Sequence, residues 1–391
     1  LKDQTVYGIR NAGQVLNIHN LKSENAVPAI YSTYGGLITL VDATLTGKAG
    51  ASALPAIDTP TARLVARDIT TMGYKIAIHA QNSDFVEPTV SEFVSDPVQS
   101  LFSSSNRTLN LPIRDTPTVP WEDPKSWANV VSYGAIPNDG KDDTAAIQAA
   151  IDSGKSTIYF PATGTFEIEG TILVRNNVRR ILGTEGKVRA LSNMASFKVV
   201  DGTSPTVVIE RMANGFDFPL TIENASSRTL VLKDLSDVTG NMTGNGDVFI
   251  EDVVGGNWRF GKQNIWARQL NVENKGTHIT NDGGNLWILG LKTEQGGTII
   301  DTKNGGKTEL LGGLIYNTNN APNGAQDEPM FIDSESSTSF TFSEVNFGGG
   351  SEYTTYVRET QGGITKDLSG ANLLSSNAPY GKSVPLYVGY P

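Results

Sequence analysis

The sequence predicts an all-β fold: a parallel β-helix, or solenoid, in two β-helix units of which the first is truncated at its N-terminus. Three observations carry this. An eight-residue pattern returns nine times along the 391 residues, at intervals of about one solenoid coil. Its fifth position is filled by residues that tolerate a left-handed corner. A Pro-rich stretch and one short amphipathic helix separate the first three copies from the last six.

The copies begin at Leu16, Ile38 and Leu64, and then at Leu230, Val248, Ile265, Leu286, Thr308 and Phe340. Positions 1 and 3 are mostly apolar and position 2 varies, which is strand alternation. Position 6 is apolar again in most copies, where strict alternation would turn it outward. The chain must therefore bend at positions 4 and 5. Position 5 reads Asn20, Asp42, Asp68, Asp234, Asp252, Gln269, Gly290, Gly312 and Glu344. Each copy is strand, corner, strand, and one coil alone buries nothing. Stacked at about 4.8 Å per rung, the coils share a core and pair their backbones.

Residues 1–83 read as terminal coils of a first β-helix, 84–128 as a connector and 129–391 as a second β-helix. The connector holds six of the 18 prolines, which break ladders, but also Phe93, Phe102 and Trp121, which call for a surface to lie on. A helix is expected over 143–153, with Asp142 or Asp143 as N-cap and Gly154 as its stop. Ala146, Ile147, Ala150 and Ile151 give it one apolar face, suited to covering the first coil of the second solenoid.

The segment Tyr133-Gly134-Ala135, Asn138-Asp139-Gly140, Asp142-Asp143-Thr144, Ala146-Ile147-Gln148 and Tyr159-Phe160-Pro161 with Gly164 resembles the pectate-lyase-like superfamily, in its family 28-related glycosyl hydrolase group. The resemblance implies a right-handed parallel β-helix starting there. The tandem layout is similar to that of glycoside hydrolase family 55, and implies an action on polysaccharide outside the cell. The catalytic signatures of polygalacturonases do not carry over. His278 stands between Thr277 and Ile279 rather than between glycines, and Asp142-Asp143 falls at the helix cap. The Arg-x-Pro-x-x-Arg pattern of pectate lyases is also missing.

Composition narrows the chemistry. There is no cysteine, which excludes disulfides, thiolate metal sites and cysteine nucleophiles. Three histidines argue against a multi-His metal centre, and no metal or other cofactor is expected. A net charge of −10 disfavours nucleic acid as a partner. No apolar run is long enough to span a bilayer as a helix. The expected partners are a polysaccharide and, at the Leu1 end, a missing N-terminal β-helix segment or another copy of the chain.

Stacking turns equal positions into columns. Position 2 faces away from the core and reads Phe249, Trp266, Trp287 and Glu309 in consecutive coils, an aromatic file for sugar rings beside an acid. The same file could instead pack beneath the connector. Position 4 reads Lys233, Glu251 and Arg268, an ion-pair ladder. Asp234 and Asp252 share position 5, as turn formers or as calcium ligands. Arg175, Arg179 and Arg180 form a basic cluster suited to ion pairs, or to a uronate or sulfate. For acid–base chemistry the candidates are Asp282, Glu294 and Glu309, in a glycine-rich stretch. The leading reading is an extracellular, carbohydrate-active protein hydrolysing a glucan-like polysaccharide with paired carboxylates. The alternatives are a non-catalytic structural or adhesive surface protein, and a calcium-dependent lyase.

Overall fold

The computed structural model describes residues 1–215, 218–318, 328–346, 352–376 and 381–389. The fold is a parallel β-solenoid of about 15 turns. The chain forms two compact units. Unit one holds residues 1–110, 289–297 and 308–391, and unit two holds 111–288 and 298–307.

In unit one the first three octets stack position on position. Leu16 is opposite Ile38 and Ile38 opposite Leu64, and Ile18, Leu40 and Ala66 follow in the same register. Ile38, Leu40, Leu64 and Ala66 are sealed in a core shared with Ile57 and Ile78 of the second sheet. The strand Thr89–Val94 then closes this sheet antiparallel to Arg63–Met72. Ladders near the C-terminus are also antiparallel: Lys382–Gly389 runs against Ser337–Val345, and Ile364–Ser369 against Thr355–Gln361. The last octet, from Phe340, therefore departs from the pattern, and its Glu344 is not a left-handed corner.

Unit two repeats the stacking. Leu230, Val248 and Ile265 are register partners, as are Leu232, Ile250 and Ala267, and Leu235, Val253 and Leu270. The bend between positions 3 and 6 is real. Asn20, Asp42, Asp68, Asp234, Asp252 and Gln269 all take φ between 51° and 59°, and Gly290 and Gly312 take 81° and 79°. Asp234 and Asp252 thus turn corners, as their side-chain type allows.

Two further coils of this unit lack the octet pattern. Val207, Val208 and Ile209 pair with Leu230, Val231 and Leu232, and Arg211 turns the corner at φ 56°. One rung earlier, Ile181 pairs with Ile209 and Thr184 turns at φ 45°. The charge ladder is accordingly longer than the sequence pattern shows, with Glu210 opposite Lys233, then Glu251 and Arg268.

The helix spans Thr144–Ile151 and buries Ile147, Ala150 and Ile151. Its cap falls on the expected pair, with Asp143 in the N-cap position. Asp142, not Asp143, accepts from the Thr144 amide at 2.9 Å. Asp143 is buried and accepts from the amides of Ile136 and Glu167, tying the helix entry to the next strand.

Candidate functional site

A cavity of about 340 Å³ in unit two brings together two carboxylates over a floor of glycine. Its residues come from consecutive rungs. The strand Thr229–Met242 supplies Asp237, Val248–Phe260 supplies Gly255 and Gly256, and Asn264–Glu273 supplies Glu273. Phe218 and Pro219 stand on one rim and Asn274 on the other.

Local irregularity makes the notch. The register between the Asp237 strand and its neighbour shifts between Leu235 and Val238, and Asp237 sits in the shift with φ 57°. A bulge of this kind re-aims one side chain out of the regular alternation. On the next rung glycines leave the space open. A Cβ on Gly256 would lie 2.8 Å from Thr239 Cγ2 and 3.2 Å from Asn274 Nδ2. Asn214 fixes the opposite wall. Buried itself, it donates to the main-chain carbonyls of Phe218 at 2.7 Å and Asp237 at 3.0 Å. On the far side the Nε2 of buried His278 meets the Asn274 carbonyl at 2.5 Å. Burial pushes the His278 imidazole down to about 4, so it is a neutral prop for that loop.

The two acids are unlike. Asp237 is half-buried, and among the described residues its carboxylate takes no side-chain or amide donor. Desolvation, and then the charge of Glu273, push its pKa up. Glu273 is exposed and accepts from Asn271 Nδ2 at 2.7 Å. A carboxyl that holds its proton more tightly than an ordinary aspartate, beside a more exposed one, is the asymmetry that general acid–base chemistry uses.

The residues singled out from the sequence lie elsewhere. Glu309 is fully buried in unit one, and its Oε1 is 2.7 Å from Arg67 Nη1. Glu294, also in unit one, pairs with Lys292 at 2.5 Å. Asp282, in unit two, accepts from Asn304 at 2.6 Å. Each of these three carboxylates therefore already has a protein partner. The aromatic file does face away from the core, but it is not open to water. Phe249, Trp266 and Trp287 are all buried, the first two stacked at 4.8 Å. The chain from Leu111 covers them: Pro112 O accepts from Trp266 Nε1 at 2.8 Å, and the Arg114 guanidinium lies 5.1 Å from the Trp266 ring. The basic cluster is spent on ion pairs, Arg175 with Asp152, Arg179 with Glu122 and Arg180 with Glu210. Among the described residues no group of three or more His, Asp or Glu is placed to hold a metal ion.

The notch escapes the sequence pattern because Asp237 and Glu273 lie past the corner, where the register slips. The one signal for it is the Gly255-Gly256 pair inside a strand, which marks a bulge or a close approach.

Fold and site together define a parallel β-solenoid with a carboxyl-lined cavity on its side. Residues 127–210 match the family described as Rhamnogalacturonase A/epimerase, pectate lyase-like. That segment and the solenoid fit the pectate-lyase-like superfamily. Among solved structures the chain is similar to ORF18 of Geobacillus virus E2, at 11% identity over 68% of this chain and 76% of that one, with a TM-score of 0.29. It is also similar to PfbA, a surface adhesin of Streptococcus pneumoniae, at 11% identity over 66% and 98%, with a TM-score of 0.27. No curated protein sequence matches it.

Proposed function

We propose that the protein is an extracellular, carbohydrate-active protein that hydrolyses a glycosidic bond in the Asp237–Glu273 cavity. The observation that carries this reading is a bulge-borne Asp237, its pKa raised by desolvation and then by Glu273, which lines one cavity with Glu273 over the Gly255-Gly256 floor. The pectate-lyase-like segment supports carbohydrate as the substrate class. Asp237 gives its proton to the glycosidic oxygen as the bond from that oxygen to the anomeric carbon breaks. Glu273 takes a proton from the water whose oxygen bonds to the same carbon. The two strands are two rungs apart, about 9–10 Å between backbones. That spacing suits the wider carboxyl separation of inverting enzymes, about 6.5–9.5 Å. The exposed Phe218 ring offers a stacking face at the rim.

The test is release of reducing ends from a panel of neutral and acidic polysaccharides. Asp237→Asn and Glu273→Gln should each lower the rate by about 10²–10⁴. Undiminished release in both variants, or no release from any substrate, overturns the reading. A second reading, a non-catalytic surface protein that binds glycans, is favoured by the capture of Glu309, Glu294 and Asp282 in protein contacts. Glycan binding by a chain that releases no reducing ends would select it. Among the described residues no helix is long and apolar enough to cross a membrane, which says nothing of strands that might do so.

A further inference from the structure

We propose that the Asp237–Glu273 cavity selects by charge: it takes a saccharide that is uncharged where it enters the notch and rejects the uronate counterpart. The inference names the substrate class of the hydrolytic site above and rests on that reading. The titratable side chains lining the cavity are two carboxyls, Asp237 and Glu273, and among the described residues no lysine, arginine or histidine lines it. A sugar carboxylate entering there meets like charge without a cation to offset it, in a recess where water screens poorly.

The neighbouring cations leave this imbalance in place. Arg189 packs beside Gly215 but does not line the cavity, and its charge bears on buried Glu167. Lys275 is exposed and is tied to the rim through its backbone. Its amide donates to Asn274 Oδ1 at 2.8 Å, and its carbonyl accepts from Asn257 Nδ2 at 3.2 Å. Asp237 registers the outcome: desolvation and the negative charge of Glu273 act on it, and no positive charge pulls its proton away.

Hydrogen-bonding capacity points the same way. The Asn214 amide is fully engaged, with Nδ2 on the Phe218 and Asp237 carbonyls and Oδ1 accepting from the Ala190 amide at 3.0 Å. For a ligand there remain the two carboxyls and, over the floor, the Asn274 Nδ2, which would lie 3.2 Å from a Cβ on Gly256. Sugar hydroxyls both donate to carboxyls and accept from an amide, so a neutral chain suits this set. A uronate carboxylate only accepts. It finds one side-chain donor besides the proton that Asp237 delivers to the glycosidic oxygen. Phe218, on the rim and 37% exposed, keeps ring surface in water for the apolar side of a pyranose.

The experiment is calorimetric titration of the full chain with thio-linked hexasaccharides of glucose, mannose and galactose, which resist cleavage. Each is paired with its own form oxidised to the uronate at the primary alcohol. At least one neutral chain is expected to bind, about tenfold or more tighter than its uronate form. In Asp237→Asn/Glu273→Gln that gap should shrink to roughly threefold or less. Salt at about 0.5 M should narrow it in the unaltered chain too, where no question of folding arises. No binding by any neutral chain, a uronate bound as tightly as its neutral form, or a gap that neither the variant nor salt narrows overturns the proposal. The hydrolytic reading fails separately, as absent reducing ends from oxygen-linked polysaccharides while the neutral preference persists.

Discussion

Arg67 and Glu309 form an ion pair sealed from water, 2.7 Å between Nη1 and Oε1, with side chains 3% and 0% exposed. Glu309 Oε1 also accepts from the Asn110 amide at 2.9 Å, and Arg67 Nη1 also donates to Thr108 Oγ1 at 2.8 Å. The contact joins the N-terminal coils of unit one to its strand Lys307–Tyr316, 242 residues away in sequence. Removing one partner leaves an uncompensated buried charge, worth about 3–5 kcal/mol. Glu309→Ala should therefore lower the melting temperature sharply. Arg67→Met/Glu309→Met, which removes both charges and keeps the volume, should recover most of the loss. Equal destabilisation by the single and double variants in denaturant titration would count against the pair.

The floor of the notch offers a test that touches no acid. Gly256→Val places a branched side chain against Thr239 and Asn274, both movable side chains rather than backbone. The fold should survive, because Gly256 has an ordinary φ. Reducing-end release should fall at least tenfold, while the melting temperature changes little. Full hydrolytic activity in a well-folded Gly256→Val protein would place the chemistry elsewhere.

Much of the fold is legible in the octets because a solenoid repeats one physical problem. Each coil needs two inward apolar positions, a left-handed corner and a second inward strand. Asp, Asn and Gly at the corner announce it. Where the corner is Arg211 or Thr184 the announcement is missing, and the coil is found only through its register partners. The aromatic file was legible as a column, but its cover was not. Nothing local to Trp266 tells that Pro112, 154 residues earlier, accepts its indole proton. The carboxyl cavity was hidden for the opposite reason: it depends on a break in the repeat, and periodicity locates only what recurs.

The buried acids of unit one give a pH dependence of stability. Asp333 lies opposite Glu359 on adjacent strands, with Thr338 Oγ1 donating to Asp333 and Tyr387 Oη to Glu359. Burial pushes Asp333 up to about 7 and does the same to Glu344, which accepts from Tyr356 Oη at 2.5 Å. Such groups hold their protons more tightly folded than unfolded. Their stabilisation is complete below about pH 4 and is lost as pH rises to about 7. His278, pushed down to about 4, acts in the other direction: its contribution is lost as pH falls from about 6.5 towards 4. Two carboxyls oppose one imidazole, so the protein should melt at a higher temperature at pH 5 than at pH 7.5. Asp333→Asn/Glu344→Gln should flatten that difference in calorimetry. A melting temperature that rises steadily from pH 5 to 7.5 would contradict it.

Arg211, like Thr184, is a corner where sequence and conformation disagree. It turns at φ 56° in a column that, Thr184 apart, elsewhere carries Asn, Asp, Gln or Gly at its left-handed corners. A side chain with a Cβ pays roughly 1–2 kcal/mol for the left-handed conformation, and Gly or Asn far less. The compensating contact is weak, with Arg211 Nε 3.9 Å from Asp234 at the next corner and both side chains partly exposed. Arg211→Asn should thus stabilise the chain by about 0.5–1 kcal/mol, and Arg211→Gly by less, since glycine also frees the unfolded chain. Arg211→Val, branched at Cβ, should destabilise by more than either gain. Denaturant midpoints for the three variants give the order directly. If Val proves as stable as Asn, the corner at this rung is not held left-handed, and the coil the octet pattern overlooked would have to be redrawn.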